Sequence, residues 1–467
     1  MSEGSFMRRT DAFAWYMEDD PELRSTVVGV AWLDELPPWD DLAARLERAT
    51  RLAPGFRQRL VEPPRRVGSP RWTTDPQFDL SWHLRRVAAP LPRTPETVLE
   101  LASTSVMAGF DRTRPLWEFT LVESLTGRRA ALVMKMHHSL TDGIGGVQLA
   151  SLLFDDRPDR RIEGPMPDAP RGETLHGVEL VGLVMADRAG RLCRGVLGAL
   201  RRAPADAARV LSHPLDAGRD LVGTAGSIGR TVRPVTSILS PIMTRRGPGR
   251  RLHMVTLGLE DMRRAGAAAG GTVNDAFMGG IAGGLRLYHL RHGASVAELL
   301  VTLPISVRGP DDPPGGNRIT LQRFRVPVGV EEPVERVRAI HRCCRAARTE
   351  RSLPYTDAIA GALNVLPSGV LGSILKRVDF LASDVAGFPG PTYLCGAHLS
   401  GYYAFGPTIG SAMNVTLFSY GERCCIGVTV DTSAVPDHDL LAECLEQGFS
   451  EVIGTIASGS PKPSGAG

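Results

Sequence analysis

The sequence predicts an α/β protein of two lobes, each combining strands with helices. Three observations carry this expectation. The chain has 467 residues, more than one hydrophobic core usually serves, so it is expected to divide. Strand and helix signals alternate through the first third and resume from about residue 252. Between them runs "DDRPDRRIEGPMPDAPRGE" (155–173), whose proline and charge mark an exposed linker. The composition shifts place a first lobe at 1–165, a proline- and arginine-rich connector with amphipathic helices at 166–250, a second lobe at 251–457, and a disordered tail at 458–467.

In the first lobe, "RSTVVGVAWL" (24–33) is rich in β-branched residues and suits a strand. "DDLAARLERATRLAPGFRQRL" (40–60) sets Leu42, Leu46 and Ala49 at helical spacing and is closed by Pro54-Gly55. "WEFTLVESLTGRRAALVMKMHH" (117–138) reads as two strands joined by a turn at 125–129. "GIGGVQLASLLFDD" (143–156) reads as a helix with Val147, Ala150 and Phe154 on one stripe. In the second lobe, "RLHMVTLGL" and "ELLVTLPISVR" read as strands around a helix, "TVNDAFMGGIAGGLRLYHLR". "NVTLFSYG" (414–421) and "CCIGVTVD" (424–431) read as a strand pair, followed by a helix from about Asp437.

Bulk properties exclude several classes. Hydrophobic residues make up 43% and charged residues 22%, as in globular rather than disordered chains. A net charge of +3 gives no reason to expect nucleic acid as a partner. No apolar run approaches the roughly 18 residues of a spanning helix. The opening "MSEGSFMRRTDAFAWYMEDDPELRS" lacks the apolar core of about 7–15 residues that a signal peptide needs, so a cytoplasmic protein is expected. Seven cysteines, an odd number with no C-x-x-C pair, point to reduced buried thiols, not to a disulfide framework or zinc. Residues 188–251 hold thirteen arginines against three aspartates, with no lysine or glutamate. Within them, "DRAGRLCRGVLGALRRA" is a basic amphipathic stretch. It suits either an anionic membrane surface or a helix packed on the protein with a solvated arginine face.

The chemistry concentrates in "MKMHHSLTDGIGGVQL" (134–149), where polar side chains interrupt the junction of an apolar strand and an apolar helix. Left unpaired there they would cost several kcal/mol each, roughly. They are therefore either satisfied structurally or chemically active. A histidine accepts a proton near neutral pH, and Gly143, Gly145 and Gly146 leave room for a ligand beside the backbone. There is no G-x-S-x-G elbow and no H-E-x-x-H pair, so neither a serine hydrolase nor a zinc hydrolase is indicated, and no metal ligand set is expected. A lone histidine base with an aspartate suits activation of an external hydroxyl.

"HHSLTDG" (137–143) resembles the HHxxxDG signature of the bacterial wax ester synthase/diacylglycerol acyltransferase family, part of the CoA-dependent acyltransferase superfamily. "RPLWEFTLVE", "TVNDAF", "LPISVR", "DAFAWYMED" and "NVTLFSYG" are similar to other family segments, in the right order over almost the whole chain. One departure stands out: the family's usual SNVPGP loop reads "SDVAGFPGP" (383–391), with Asp384 at the asparagine and Ala386 at the first proline.

The resemblance implies mixed sheets in two chloramphenicol-acetyltransferase-like lobes, with the active site in a tunnel between them. It implies that His138 is the general base for attack of an acceptor hydroxyl on an acyl-CoA thioester, with a satisfied core histidine as the competing reading. On an extended segment His137 points the other way from His138, toward a structural or substrate-shaping role. Asp142 would hold the loop through an ion pair, with Arg308 as the candidate partner, unless it is simply an Asp-Gly turn residue; Gly143 lets the chain turn sharply. Asn274 and Asp275 follow Thr272 and suit helix capping, whereas the resemblance sets them beside the tunnel, with Asn274 as a candidate donor to the oxyanion. The implied activity is transfer of a long-chain acyl group to the hydroxyl of diacylglycerol or a fatty alcohol. No cofactor is implied, acyl-CoA being a substrate. The alternatives are a different hydroxyl acceptor, or a catalytically weak lipid-binding paralogue. A peripheral position on the inner face of the plasma membrane or on lipid droplets, through 188–251, is the expectation attached to the basic stretch.

Overall fold

The computed structural model describes residues 5–64, 68–141, 150–159, 164–175, 179–187, 189–190, 193, 237–306, 319–350 and 376–458. In the first half run α1 (Arg9–Met17), β1 (Thr26–Leu33), α2 (Trp39–Leu52), β2 (Gln58–Val61), β3 (Arg71–Thr74), α3 (Leu80–His83), β4 (Leu84–Ala88), α4 (Pro95–Met107), β5 (Trp117–Glu123), β6 (Ala130–His137) and α5 (His138–Thr141). Then follow β7 (Arg250–Gly258), α6 (Leu259–Ala268), α7 (Val273–Arg291), β8 (Glu298–Ser306), β9 (Ile319–Pro327) and α8 (Pro333–Arg348). The chain closes with β10 (Phe380–Phe388), β11 (Tyr393–Leu394), β12 (Ala397–Phe405), β13 (Met413–Tyr420), β14 (Arg423–Asp431) and α9 (His438–Ser458).

The strands form two mixed six-stranded sheets, ordered β11-β12-β1-β6-β5-β4 and β7-β14-β13-β10-β8-β9, plus the β2-β3 hairpin. In the first sheet only β4 and β5 are parallel. The second joins β8, β10 and β13 in parallel and adds antiparallel neighbours on each side. All eight residues of β6 are buried, which is why that strand reads as a nearly continuous apolar run; it is covered on both faces. The stripe of Leu42, Leu46 and Ala49 on α2 is buried as its spacing predicts.

The strands expected over 251–457 do not all belong to one sheet. β12 leaves the second half of the chain and pairs antiparallel with β1, Ala31 opposite Tyr402. Such a crossover is set by long-range pairing, which no local pattern encodes. Where it passes over β14 the backbones nearly touch: a Cβ on Gly427 would collide with the Ala404 carbonyl. The first core accordingly includes Leu252, Tyr420 and Cys425 from the second sheet. The segment 383–388, expected as part of a loop, is instead the end of β10. It pairs with β13 and carries a register shift between Val385 and Phe388.

An aromatic cluster ties the sheets together. Phe154, Phe388, Tyr402 and Phe418 stack edge to face or tilted, with ring centroids 4.5–6.4 Å apart. Gly29 on β1 makes room for it, since a Cβ there would strike the Tyr402 hydroxyl. All seven cysteines are free thiols, and Cys344, Cys424, Cys425 and Cys444 are buried. Among the described residues, no helix is long and apolar enough to cross a membrane. Most of the arginine-rich stretch 188–251, the first half of the helix expected at 143–156 and most of the expected tail lie outside the described residues; residues 150–153 are helical as expected.

Candidate active site

His137 is the last residue of β6 and His138 opens α5. The neighbouring strands hold both backbone N–H groups: His137 donates to the Leu116 carbonyl at 3.0 Å and His138 to the Ser25 carbonyl at 2.9 Å. Leu116 and Trp117 are themselves fully buried. The Trp117 indole donates to the Phe56 carbonyl at 2.8 Å and stacks on His83, centroids 4.6 Å apart. The PLW segment (Pro115, Leu116 and Trp117) is thus a packed wall whose backbone holds His137.

The two imidazoles occupy different environments on either side of the strand–helix junction. His137 is completely buried. Its Nδ1 lies 2.7 Å from the Ser139 hydroxyl, its Nε2 lies 3.2 Å from Oε1 of Glu18, and Trp15 and Phe110 meet it edge-on. His138 instead keeps accessible surface. Even so, burial first, then the neighbouring His137 and Arg8, lower its pKa from 6.5 to about 4. At neutral pH this imidazole is uncharged and able to accept a proton.

Glu18 closes a ring around that histidine. Its Oε1 accepts from the Ser25 N–H and faces Nε2 of His137. The Ser25 carbonyl holds the His138 N–H, and His138 follows His137 in the chain. One buried carboxylate, 7% exposed, therefore anchors both strands that flank the candidate base.

Residues 7–277 match the domain family described as the wax ester synthase/diacylglycerol acyltransferase catalytic domain, and residues 315–452 match its C-terminal domain. The chain belongs to this family. It is an acyltransferase. A Mycobacterium tuberculosis H37Rv protein provisionally named a diacylglycerol O-acyltransferase is 35% identical over 456 residues, 96% of this chain and 91% of that protein. A second such protein of that strain is 28% identical over 466 residues, 95% and 89% of the two chains. In fold the chain is similar to the wax ester synthase/diacylglycerol acyltransferase from Marinobacter aquaeolei VT8, with a TM-score of 0.64 at 24% identity over 97% of this chain and 100% of that one. It is also similar to the first condensation domain of the CDA synthetase, with a TM-score of 0.58 at 14% identity over 98% and 97%.

Within this acyltransferase the expected site residues separate. His137 and His138 stand together as described. Asp142, Gly143 and Arg308 lie outside the described residues. Asp275 completes a capping box at the start of α7: its Oδ2 accepts from the Thr272 N–H at 2.8 Å and its hydroxyl at 2.9 Å, and lies 2.8 Å from Nδ1 of His341. Asn274 is buried with its amide against the Cys344 sulfur at 3.9 Å. Capping is what the contacts between Asp275 and Thr272 carry out; the side chain of Asn274 instead contacts Cys344 on α8. Asp384, at the departure from the family pattern, has its pKa raised by burial.

Glu18, Ser25 and Ser139 were not singled out by the sequence, although Glu18 sits inside "DAFAWYMED". Replacing Glu18 by alanine leaves the buried Ser25 N–H short of an acceptor and removes the carboxylate beside His137. A stability loss of about 1–3 kcal/mol is expected, together with a fall in kcat at little change in KM for the acyl donor. Glu18→Gln keeps an acceptor for Ser25 and is expected to restore most of the stability. Chemical denaturation and steady-state kinetics of the two variants check this.

Proposed function

We propose that this acyltransferase moves a long-chain acyl group from acyl-CoA to the hydroxyl of diacylglycerol, or of a fatty alcohol, with His138 as the general base. The observation that carries the reading is the placement of His138: fixed at a strand–helix junction, accessible, and uncharged beside a fully buried, anchored His137. The family and the names of the relatives supply the substrate class.

In this reading the two substrates meet at His138, which takes the proton of the acceptor hydroxyl as its oxygen attacks the thioester carbonyl carbon. The carbonyl electrons pass to the oxygen, forming a tetrahedral oxyanion. Its collapse breaks the C–S bond, and the departing thiolate receives the proton back from the imidazolium. An ester and free CoA result, with no covalent acyl-enzyme. A base with so low a pKa is always available but weak. The imidazolium gains stability from the oxyanion that forms beside it, which offsets part of that weakness. Asp142 is assigned the loop-holding ion pair and Arg308 its other half, with Gly143 permitting the turn between. No cofactor enters any step.

A lipid acceptor suits a peripheral position on the inner face of the plasma membrane or on lipid droplets, and the arginine-rich stretch 188–251 is our candidate for that contact. Flotation with anionic but not zwitterionic liposomes checks it.

The test of function is CoA release from palmitoyl-CoA with dipalmitoylglycerol or hexadecanol. Release that depends on either acceptor supports the reading and ranks the two; equal release without acceptor overturns it. The pH dependence is a separate expectation. A base must be unprotonated to act, and one with a pKa of about 4 is neutral at every pH above that value. The acid limb of kcat/KM is therefore expected near pH 4, not near the 6.5 of an ordinary histidine. A limb centred on 6.5 would mean that another group, or a solvated His138, controls the rate.

A further inference from the structure

We infer that His253, His438 and Asp439 form a binding site for one divalent transition-metal ion of zinc's class, pinning the edge of the second sheet to the last helix. His253 lies on β7 and shares a face with Val255 and Leu257, which pack into the second core. Leu252, on the opposite face, packs into the first core. His438 and Asp439 are the first two residues of α9. Strand and helix bring together residues 185 positions apart in the chain, so no sequence spacing could have exposed the cluster.

The geometry suits an ion better than hydrogen bonds. Nδ1 of His438 lies 3.2 Å from Nε2 of His253 and 3.2 Å from Oδ1 of Asp439, and the three ligand atoms all fall within 4.8 Å of one another. A ring nitrogen offers one lone pair or one proton, so Nδ1 cannot make a good hydrogen bond to both neighbours. Both separations lie at the long end of the hydrogen-bond range. Tetrahedral zinc, with bonds of roughly 2.0–2.1 Å, sets its ligand atoms roughly 3.3 Å apart. Two of the three separations match that spacing and the third is within 4.8 Å, so an ion drawing the three groups together takes all three lone pairs.

Two imidazoles and a carboxylate are a ligand set that such ions take, with water completing the fourth position. Entry is open, since the Asp439 side chain is 85% exposed. The helix N-terminus disfavours a cation, and the carboxylate in the first turn offsets that. An ion held by β7 and α9 together binds only the folded chain, so it stabilises the second lobe by mass action.

The test uses the tag-free full-length protein, stripped with a chelator and titrated with Zn²⁺ alone, or with Co²⁺ as a spectroscopic reporter. One ion per chain, tetrahedral cobalt absorption and a rise in Tm are expected. His438→Ala should abolish all three. Asp439→Ala removes an exposed side chain that folding does not need, and should weaken binding at least about tenfold, since even second-shell losses cost that much. His398→Ala, at an exposed histidine elsewhere, should leave binding intact. Wild-type affinity no greater than that of Asp439→Ala, or octahedral cobalt absorption, overturns the proposal even if His438→Ala fails to fold.

Discussion

Replacing His138 by alanine is expected to cut acceptor-dependent CoA release about 10²–10⁴-fold, the range that general-base catalysis contributes, while leaving the fold intact. The stability half of this expectation follows from how the residue is held. Its backbone N–H pairs with Ser25 and the strand behind it is buried throughout, whereas its side chain keeps accessible surface. Truncation is therefore expected to cost less stability than at the fully buried His137, and the urea midpoint should stay close to that of the wild type. The same change at His137 is expected to behave differently. Its ring is completely buried between Glu18, Ser139, Trp15 and Phe110, so alanine there should lower both stability and rate. A His138→Ala variant that kept full rate would remove this residue from the mechanism.

The largest stability effect is expected at Asp155→Ala. Arg45 on α2 and Asp155 form an ion pair whose side chains are only 7% and 6% exposed. Arg45 also donates to the Leu153 carbonyl at 3.3 Å. The backbone of Asp155 exchanges two hydrogen bonds with Tyr393, at 2.9 and 2.8 Å. Removing the carboxylate strands a buried guanidinium, which typically costs 3–5 kcal/mol, roughly. The pair also anchors the chain just beyond the histidine motif and beside Phe154 of the aromatic cluster, so the rate should fall with stability. Arg45→Met combined with Asp155→Leu, which leaves no lone charge, should recover much of the loss. A urea midpoint lowered at constant m-value is the readout; an unchanged midpoint would mean that water solvates the pair.

The legible and illegible parts of this protein differ in the range of the interactions that made them. β1, α2, β5, β6, β7, α7, β8, β13, β14 and α9 follow local apolar periodicity and turn residues, and each lies where the pattern places it. Thr272 and Asp275 stand at capping-box spacing, so their hydrogen bonds were readable from four residues. The different environments of His137 and His138 were expected from strand alternation, although His138 in fact opens α5. By contrast, the pairing of β12 with β1 rests on contacts between residues almost the whole chain apart. The segment 383–388 carries an aspartate and glycine that suggest a loop, yet it continues a strand because β13 pairs with it as far as Phe388. Glu18 is unremarkable in "WYMEDDPE", since its partner Ser25 becomes adjacent only when the chain doubles back into β1.

The central claim is direct transfer from acyl-CoA to a hydroxyl at His138. It is tested most directly by intact-protein mass spectrometry after mixing with palmitoyl-CoA, alongside quantification of ester and CoA, with and without dipalmitoylglycerol or hexadecanol. The account predicts unmodified protein throughout, and ester and CoA in equal amounts only when acceptor is present. Protein carrying a palmitoyl group, discharged when acceptor is added, would contradict it.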